Sequence, residues 1–209
     1  MKILSAILFI LVTTIGYSSQ KAITDTGDEI VIYSDGTWKN LSSLSSNIDE
    51  LQLNNTKFKK PAKSSFLLKS TRNHSAYWIN TDKWSFKKTK SSDDASEYTF
   101  QLKNKALYAM AITEEISIPI ASLIEIAFNN AKDVAPDVNI ISKEYRIVNG
   151  KKVVFLEMAG TLDGIKFTYR GYYYSDKFGT TQLVAYTSTN LVQKYETEIN
   201  NFLNGLVTQ

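Results

Sequence analysis

Three turn signals in the second half of the chain constrain its fold more than any other feature. They separate runs of strand-forming residues at 138–148, 152–162, 165–174 and 181–187, and they are the dipeptides Asn149-Gly150, Asp163-Gly164 and Phe178-Gly179. A two-residue turn of the Asn-Gly or Asp-Gly type accommodates the positive φ angles that join neighbouring antiparallel strands. The sequence therefore predicts four consecutive antiparallel strands.

Two amphipathic helices accompany these strands. Apolar residues recur at spacings of three and four between Pro119 and Pro136, and again over residues 191–206, where the helix is expected to end near Gly205. Further short strands are predicted upstream, at 84–87, 98–103 and 107–113. This order predicts an α+β fold, an antiparallel β-sheet flanked by helices. Polar and apolar residues alternate in the strand that starts at residue 165, so we expect one side of the sheet to be more buried than the other.

Several segments appear in an order that is typical of one family. They are "NTDKW" as the Trp-containing first strand, the strand "YAMAITEEI" before the first helix, the hairpin "RIVNGKKVVFLEMAG", and the hairpin "FTYRGYYYSDKFGTTQLVAYT" before the last helix. With these segments, residues 66–208 resemble the PsbP-like superfamily. That family includes an extrinsic subunit of photosystem II, a nuclear-import factor that binds Ran, and many exported bacterial proteins. The resemblance implies a PsbP-like α/β/α sandwich and a binding or accessory role, and it supplies no shared catalytic residues.

The first twenty residues have the pattern of a secretory signal peptide. Lys2 is followed by an apolar run over residues 3–15 and then by Ser18 and Ser19, the order of regions that such peptides share. No later apolar run approaches the ~18 residues of a membrane-spanning helix. The sequence contains no cysteine, which excludes disulfides, thiolate metal sites and a lipoprotein anchor. We therefore expect a periplasmic or secreted bacterial protein with no transmembrane segment after signal cleavage.

The chain divides into four predicted parts. Residues 1–20 are the signal peptide, 21–41 a small β-hairpin, 42–65 a linker rich in Ser, Asn and Lys, and 66–209 the α+β domain. The hairpin ends in the letters "DGTW" at residues 35–38, and in this it resembles a segment that follows the signal peptide of exported Bacteroidetes proteins. About twenty residues cannot bury a core unaided, so we expect the hairpin to dock on another part of the molecule.

Positive charge is concentrated in one part of a chain whose net charge is only +3. Residues 57–90, here called the basic block, contain ten Lys or Arg residues and a single acid, Asp82. Such a block attracts an anionic surface, for example lipid headgroups or an acidic glycan. The alternative is that these lysines are solvated side chains on the linker and the first hairpin of the domain.

The sequence offers little for catalysis. Its single histidine, His74, lies beside Ser75 between two predicted strands, and a hydrolase that uses His74 as a base is the enzymatic alternative. The motifs G-x-S-x-G and H-E-x-x-H and a phosphate-binding glycine loop are absent. The acidic pair at 93–94 is interpreted as a solvated turn, because a calcium loop needs more oxygen ligands. The acidic residues 114 and 115 are expected to share no proton or metal ion, because adjacent strand residues face opposite sides. We predict no catalytic residue, no metal site and no cofactor.

Aromatic residues supply the candidate binding residues. Tyr77, Trp78 and Trp84 lie within the basic block, while Tyr172 and Tyr174 belong to a run of three tyrosines. Consecutive strand residues face opposite sides of a sheet, so at least one tyrosine of that run is expected on the less buried side. Exposed Trp and Tyr beside Lys form contact surfaces for proteins or glycans. The alternative is that Trp78 and Trp84 anchor the core, because aromatic residues dominate core burial.

These observations lead to one principal hypothesis and two alternatives. The principal hypothesis is an exported, noncatalytic accessory or binding protein of the bacterial cell envelope, with an envelope protein or a glycan as its partner. Export separates it from nucleic acid, which we exclude as a partner. The alternatives are an envelope hydrolase that uses His74, and a structural protein that docks through residues 21–39. The sequence assigns no oligomeric state.

Overall fold

The computed structural model describes residues 20–24, 28–32, 36–40, 51–90 and 95–208, and every structural statement below concerns those residues. The predicted signal peptide lies outside them except for Gln20. Asp93 and Asp94 also lie outside them.

The described residues form fourteen strands and two α-helices. The strands are β1 (Gln20–Ile23), β2 (Glu29–Ile32), β3 (Trp38–Asn40), β4 (Leu53–Phe58), β5 (Phe66–Lys69), β6 (Ser75–Ile79), β7 (Trp84–Lys88), β8 (Ser96–Leu102), β9 (Tyr108–Glu114), β10 (Asn139–Val148), β11 (Lys151–Leu162), β12 (Ile165–Asp176), β13 (Gly179–Ser188) and β14 (Leu206–Thr208). The helices are α1 (Ile120–Val134) and α2 (Val192–Leu203). The fold is therefore richer in sheet than the predicted helix-flanked sandwich.

Eight strands form one mixed sheet, the central sheet, in the order β4-β10-β11-β12-β13-β9-β8-β7. The predicted meander is confirmed, since β10, β11, β12 and β13 pair consecutively and antiparallel. Asn149 and Gly150 have φ angles of 49° and 86°, and Asp163 and Gly164 have 50° and 78°. Positive φ at both loop positions is the geometry that Asn-Gly and Asp-Gly turns favour.

The third turn differs by one residue from the prediction. Asp176 pairs with Gly179, so the two loop residues are Lys177 and Phe178, and Gly179 begins β13. The backbone amide of Phe178 donates to the Asp176 carboxylate over 2.8 Å, which closes the turn locally. Gly179 has φ of 130°, and a Cβ there would lie 2.0 Å from the carbonyl oxygen of Glu114. Glycine is therefore required where β13 passes β9.

The region predicted as a linker contains a strand. β4 pairs in parallel with β10 at the edge of the central sheet, with Leu53 opposite Tyr145 and Phe58 opposite Val148. Its sequence LNNTKF has no alternation of polar and apolar residues because most of its side chains are exposed. The linker assignment for residues 42–65 is therefore wrong for residues 53–58.

The helices have the predicted apolar faces, with one correction at the end of α2. Helix α1 stops at Val134, and Ala135 is extended, as expected for a residue before proline. Helix α2 stops at Leu203, so Leu206 belongs to β14 rather than to the predicted helix. β14 pairs with β6, which also pairs with β5, and these three strands form the small sheet.

Both faces of the central sheet are covered, which corrects the prediction of one better-buried side. Val153 and Phe155 of β11 belong to a core cluster with residues of α2 and β6, whereas Val154 belongs to a second cluster with α1. Neighbouring residues of a strand face opposite sides. Tyr172 and Tyr173 are accordingly both buried, one in each cluster. The central sheet lies between α1 on one face and α2 with the small sheet on the other.

Strands β1, β2 and β3 form a separate antiparallel sheet, the N-terminal sheet. Val31 of β2 is buried in the cluster that contains the apolar face of α1. The ammonium group of Lys39 in β3 forms an ion pair with the Glu125 carboxylate of α1. The N-terminal sheet is therefore packed against α1, on the face of the central sheet opposite α2.

Candidate functional site

Three of the five aromatic residues proposed for binding lie in the core. Tyr77, Trp84 and Tyr172 are 1%, 3% and 0% exposed. Burial raises the pKa of Tyr77 well above its ordinary value, and the nearby Glu97 carboxylate adds to this effect. Tyr77 and Tyr172 face the covered α2 side of the central sheet, so they do not form the predicted contact surface. Their prediction as exposed binding residues is wrong, because strand alternation does not reveal that α2 and the small sheet cover that side.

Trp78 and Tyr174 are half-buried and lie in different places. The hydroxyl of Tyr174 donates to the Asp176 carboxylate at 3.1 Å, near the turn between β12 and β13. Trp78 lies on β6 and lines a cleft, which Trp84 also lines. Trp78 and Trp84 are therefore brought together at one site, and Tyr174 is not part of it.

This cleft, called here the Trp78 cleft, has a volume of about 200 Å³. Three segments surround it: residues 61–64, the turn between β6 and β7, and the last turns of α2. Its lining residues are Pro61, Ala62, Lys63, Ser64, Trp78, Ile79, Asn80, Lys83, Trp84, Glu198, Asn201 and Phe202. Pockets for drug-sized ligands usually exceed ~300 Å³, so this cleft suits one small ring or one side chain.

Aromatic rings form the apolar part of the Trp78 cleft. The rings of Trp84 and Phe202 lie 4.5 Å apart between centroids, in a tilted arrangement. Phe202 is fixed by its place on the buried face of α2. Trp84 is buried in the core, as the core-anchor interpretation expects, and it also borders the cleft.

Polar groups from two elements line the same cleft. The carboxamide oxygen of Asn80 accepts from the backbone amide of Asp82, which shapes the turn between β6 and β7. Across the cleft, the Lys83 ammonium group donates to the Glu198 carboxylate of α2 at 2.6 Å. Asn201 lies one residue before Phe202 on the same helix. Among the described residues, neither Nδ2 of Asn80 nor the carboxamide of Asn201 has a hydrogen-bond partner, so both are able to bind a ligand.

The basic block contributes one wall of the cleft. Residues 59–64, here called the strap, connect β4 of the central sheet to β5 of the small sheet. The Lys60 ammonium group lies 4.6 Å from the centroid of the Trp78 ring and donates to the carbonyl oxygen of Ser64 at 3.1 Å. Lys63 is exposed at the rim. The structure thus places part of the basic block beside the aromatic residues, in an arrangement suited to an anionic ligand.

Asn149 holds the strap in place. Its side-chain oxygen accepts from the backbone amide of Lys60 at 2.8 Å, and its Nδ2 donates to the carbonyl oxygens of Asn204 and Leu206 at 2.9 and 2.8 Å. One turn residue therefore joins the strap, the end of α2 and β14. The sequence marks Asn149 only as a turn former, and no local signal reveals these tertiary bonds.

The geometry around His74 does not resemble a catalytic dyad. The exposed ring of His74 packs against Phe178 in a tilted arrangement, with centroids 3.9 Å apart. Ser75 is buried, and its hydroxyl is hydrogen-bonded to the Thr181 hydroxyl at 2.7 Å. A nucleophilic serine needs a histidine within hydrogen-bond reach, and here each residue has another partner.

A buried carboxylate organises the loop that carries His74. Glu97 is 1% exposed at a bulge in β8, and its carboxylate accepts hydrogen bonds from Ser70, Thr71 and Thr113. Burial acts to raise the pKa of Glu97, but these bonds outweigh it and hold the pKa below its ordinary value. A negative charge with four donors is stable when buried. Glu97 therefore fixes the conformation of residues 70–75, a structural role that the sequence does not signal.

The remaining acidic candidates form no ligand set. Glu114 is half-buried and Glu115 exposed, as expected for adjacent residues at a strand end. No group of three or more His, Asp or Glu residues is close enough to hold a metal ion in the described parts of the chain. Within those same parts, no helix is both long and apolar enough to cross a membrane.

Comparison with known proteins gives similarity at the level of structure. No family model matches the chain, and no curated protein matches its sequence. The solved structure of the cyanobacterial PsbP protein CyanoP from Synechocystis sp. PCC 6803 is similar with a TM-score of 0.53 and 12% identity, over 71% of this chain and 95% of that one.

Two further solved structures are more distant. LpqN of Mycobacterium tuberculosis, described as involved in cell envelope biogenesis, has a TM-score of 0.46 and 15% identity over 61% of this chain and 80% of its own. A Pseudomonas aeruginosa protein of unknown function has a TM-score of 0.43 and 13% identity, over 60% and 83%. The similarity to CyanoP, which spans nearly all of that protein, shows that this chain has a PsbP-like fold.

Proposed function

We propose that this protein is an exported, noncatalytic binding protein of the bacterial cell envelope, and that the Trp78 cleft is its binding site. The observation that carries the proposal is the cleft itself, where Trp78, Asn80 and Asn201 lie beside the ammonium groups of the strap. Convergent polar groups around an aromatic surface are typical of a site that recognises a ligand. The pattern of residues 1–20, read as a signal peptide, supports export.

The arrangement of side chains favours binding over catalysis. The Lys83 and Glu198 side chains in the cleft neutralise each other in an ion pair. His74 lies on another part of the molecule, packed against Phe178. A general base must reach the proton that it removes, and the cleft contains no histidine. The structural alternative, docking through residues 21–39, is less favoured because Val31 of this segment is already buried against α1.

The proposal is tested by capture from envelope material. The purified protein is immobilised and exposed to solubilised envelopes of the producing bacterium, beside the variants Asn201→Ala and Lys166→Ala. Lys166 is an exposed residue of β12 that pairs with Thr161, at the end of β11 opposite to the strap, so it is a surface control. We expect one defined envelope component, identified by mass spectrometry or sugar analysis, to be retained by the wild type and by Lys166→Ala and lost with Asn201→Ala.

Three results would contradict the proposal. If the wild type and both variants retained the envelope component equally, the cleft would not be the binding site. Recovery of the natural protein from the cytoplasmic fraction with residues 1–20 still attached would contradict the prediction that the protein is exported. A hydrolytic activity on envelope material that disappears in His74→Ala would replace binding by the enzymatic alternative.

A further inference from the structure

We propose that the ligand of the Trp78 cleft is a sugar residue that carries a carboxylate, that is, a uronic acid unit of an acidic glycan. This inference rests on the proposed function and names the ligand class for the same site. Three features of the cleft support this ligand class: its aromatic surface, its unpartnered amides and its balance of charge.

The aromatic surface fits a sugar ring in kind and in size. Sugar rings present C–H groups on their faces, and amphipathic aromatic side chains such as Trp bind partners that are apolar on one side and polar on the other. Trp78 is half-buried and borders the cleft together with Trp84. The volume of about 200 Å³ admits one ring rather than a long segment of chain. The rest of a glycan would extend into solvent.

The amides of Asn80 and Asn201 favour a ligand that is rich in hydroxyl groups. They belong to two different segments that line the cleft, the turn between β6 and β7 and helix α2. Among the described residues, Nδ2 of Asn80 and both atoms of the Asn201 carboxamide are without hydrogen-bond partners. A carboxamide donates and accepts, which matches vicinal hydroxyl groups. An apolar side chain of a protein partner in this cleft would take these amides out of water without compensation, which is costly. A glycan is therefore favoured over an apolar peptide anchor.

The balance of charge favours an anionic sugar. Lys83 is neutralised by Glu198 at 2.6 Å, so this pair contributes little net charge. Lys60 lies over Trp78, and Lys63 is on the rim without an acidic partner among the described residues. The cleft therefore has an excess of positive charge from the strap. A carboxylate on the sugar would face this excess, which also explains why the strap is rich in lysine.

The test compares charged and uncharged forms of the same sugars. Trigalacturonate, triglucuronate and trimannuronate, and the methyl ester of each, are titrated into the purified protein by calorimetry. We expect at least one acid form to bind and its methyl ester to bind about tenfold more weakly, since the ester keeps the ring and removes the charge. Lys63→Ala should weaken binding of the acid about fivefold and leave the ester unchanged.

Two variants separate a cleft effect from a general charge effect. Asn201→Ala should weaken binding of the acid and the ester alike by about fivefold or more, because it removes hydrogen bonds to the ring hydroxyls. Lys166→Ala should leave both affinities unchanged. Both residues are partly or fully exposed, and unfolding in urea verifies that the variants remain folded.

The outcomes distinguish this inference from the proposed function. Equal binding of an acid and its ester, or binding of the acid that Asn201→Ala does not weaken, overturns the inference. If no trisaccharide binds while envelope capture still depends on Asn201, the ligand is not a uronic acid and the proposed function stands; a captured protein would then be the partner. If envelope capture is also independent of Asn201, both the uronic acid inference and the proposed function are wrong.

Discussion

At the scale of single residues, the most consequential side chain outside the cleft is Glu97. It is fully buried and ionised, and four donors satisfy its carboxylate. We predict that Glu97→Gln lowers the free energy of unfolding at pH 7 by about 1–3 kcal/mol, because the amide cannot accept all four bonds. Urea denaturation measures the change. Glu115→Gln is the control, since Glu115 is exposed directly after the end of β9, the strand that pairs with β8.

The same substitution has a predicted pH dependence. The pKa of Glu97 is lower in the folded state than its ordinary value, so its ionisation stabilises the fold above about pH 4.3, the ordinary value for Glu. This contribution is lost as the pH falls below that value and through the folded-state pKa. The difference in stability between wild type and Glu97→Gln should therefore narrow in acid. A difference that stays constant from pH 7 to pH 3 would contradict an ionised Glu97.

Asn149 offers a second residue-scale test with an internal control. Asn149 and Asp163 occupy the same position in equivalent turns, with φ angles of 49° and 50°. Of these two side chains, only that of Asn149 makes tertiary hydrogen bonds with the described residues. These bonds reach the strap and the end of α2. Replacement by alanine imposes similar backbone strain at both positions, about 1–2 kcal/mol.

We therefore predict that Asn149→Ala destabilises the protein by about 1–3 kcal/mol more than Asp163→Ala does. Urea unfolding of the two variants under identical conditions gives the difference. Asn149→Ala should also weaken ligand binding, because it releases the strap from its anchor. Equal destabilisation by the two substitutions would mean that Asn149 acts only as a turn former.

At the scale of elements, the strands that the sequence predicts are those whose neighbours are close along the chain. The β10–β13 meander follows from Asn149-Gly150 and Asp163-Gly164, which fix each turn through local backbone geometry. Strand β4 was not predicted, because its polar sequence has no period and its partner β10 lies about 90 residues away. Periodicity reports which face of an element is apolar. It does not report a parallel partner at a sheet edge.

The residues of the candidate site also divide into those that are close together along the chain, which the sequence indicates, and those that are distant, which it does not. Trp78, Trp84 and the basic block were found from the sequence because they are close together along the chain. Glu198 and Asn201 were not, since on an amphipathic helix they resemble any other polar residues of the solvent-facing side. Tyr172 was misplaced for a related reason: alternation separates the two faces of β12 but does not show that both are covered. Residues on different elements meet through tertiary packing, which has no local signature.

The junction of β14 and β6 provides a test at this scale. Gly205 precedes β14, and its carbonyl oxygen accepts from the backbone amide of Trp78 at 2.8 Å. A Cβ at Gly205 would lie 2.2 Å from the carbonyl oxygen of Trp78. Gly205→Ala must therefore displace β14 from β6, and we predict a loss of more than ~2 kcal/mol together with faster hydrogen exchange at the Trp78 amide.

Gly150→Ala is the control for this substitution. Nothing lies within 4 Å of a Cβ at Gly150, although its φ is 86°. This variant should lose only the ~1–2 kcal/mol of backbone strain and leave hydrogen exchange at Trp78 unchanged. If Gly205→Ala left the Trp78 amide as protected as in the wild type, the close contact between β14 and β6 would be refuted.

At the scale of the whole molecule, the central sheet is stabilised from both faces, and the N-terminal sheet contributes to only one of them. The face toward α2 also carries the small sheet and the Trp78 cleft. The face toward α1 carries the N-terminal sheet through Val31. The Trp78 cleft and the N-terminal sheet therefore lie on opposite faces of the central sheet. A change in the N-terminal sheet is expected to alter stability without altering ligand binding.

Among the described residues, Val31 and Lys39 both connect the N-terminal sheet to the side of the molecule that carries α1, and their expected contributions to stability differ. Val31 is 1% exposed, so Val31→Ala should lower the free energy of unfolding by about 1–3 kcal/mol. Lys39 forms an ion pair with Glu125, but its side chain is 48% exposed, and such surface pairs contribute less than ~1 kcal/mol. Lys39→Ala should therefore have a small effect, and Trp38→Ala, at a 58% exposed position, should have almost none. Urea unfolding of the three variants gives this ranking, and a Val31→Ala variant as stable as Trp38→Ala would show that the N-terminal sheet does not stabilise the rest of the molecule.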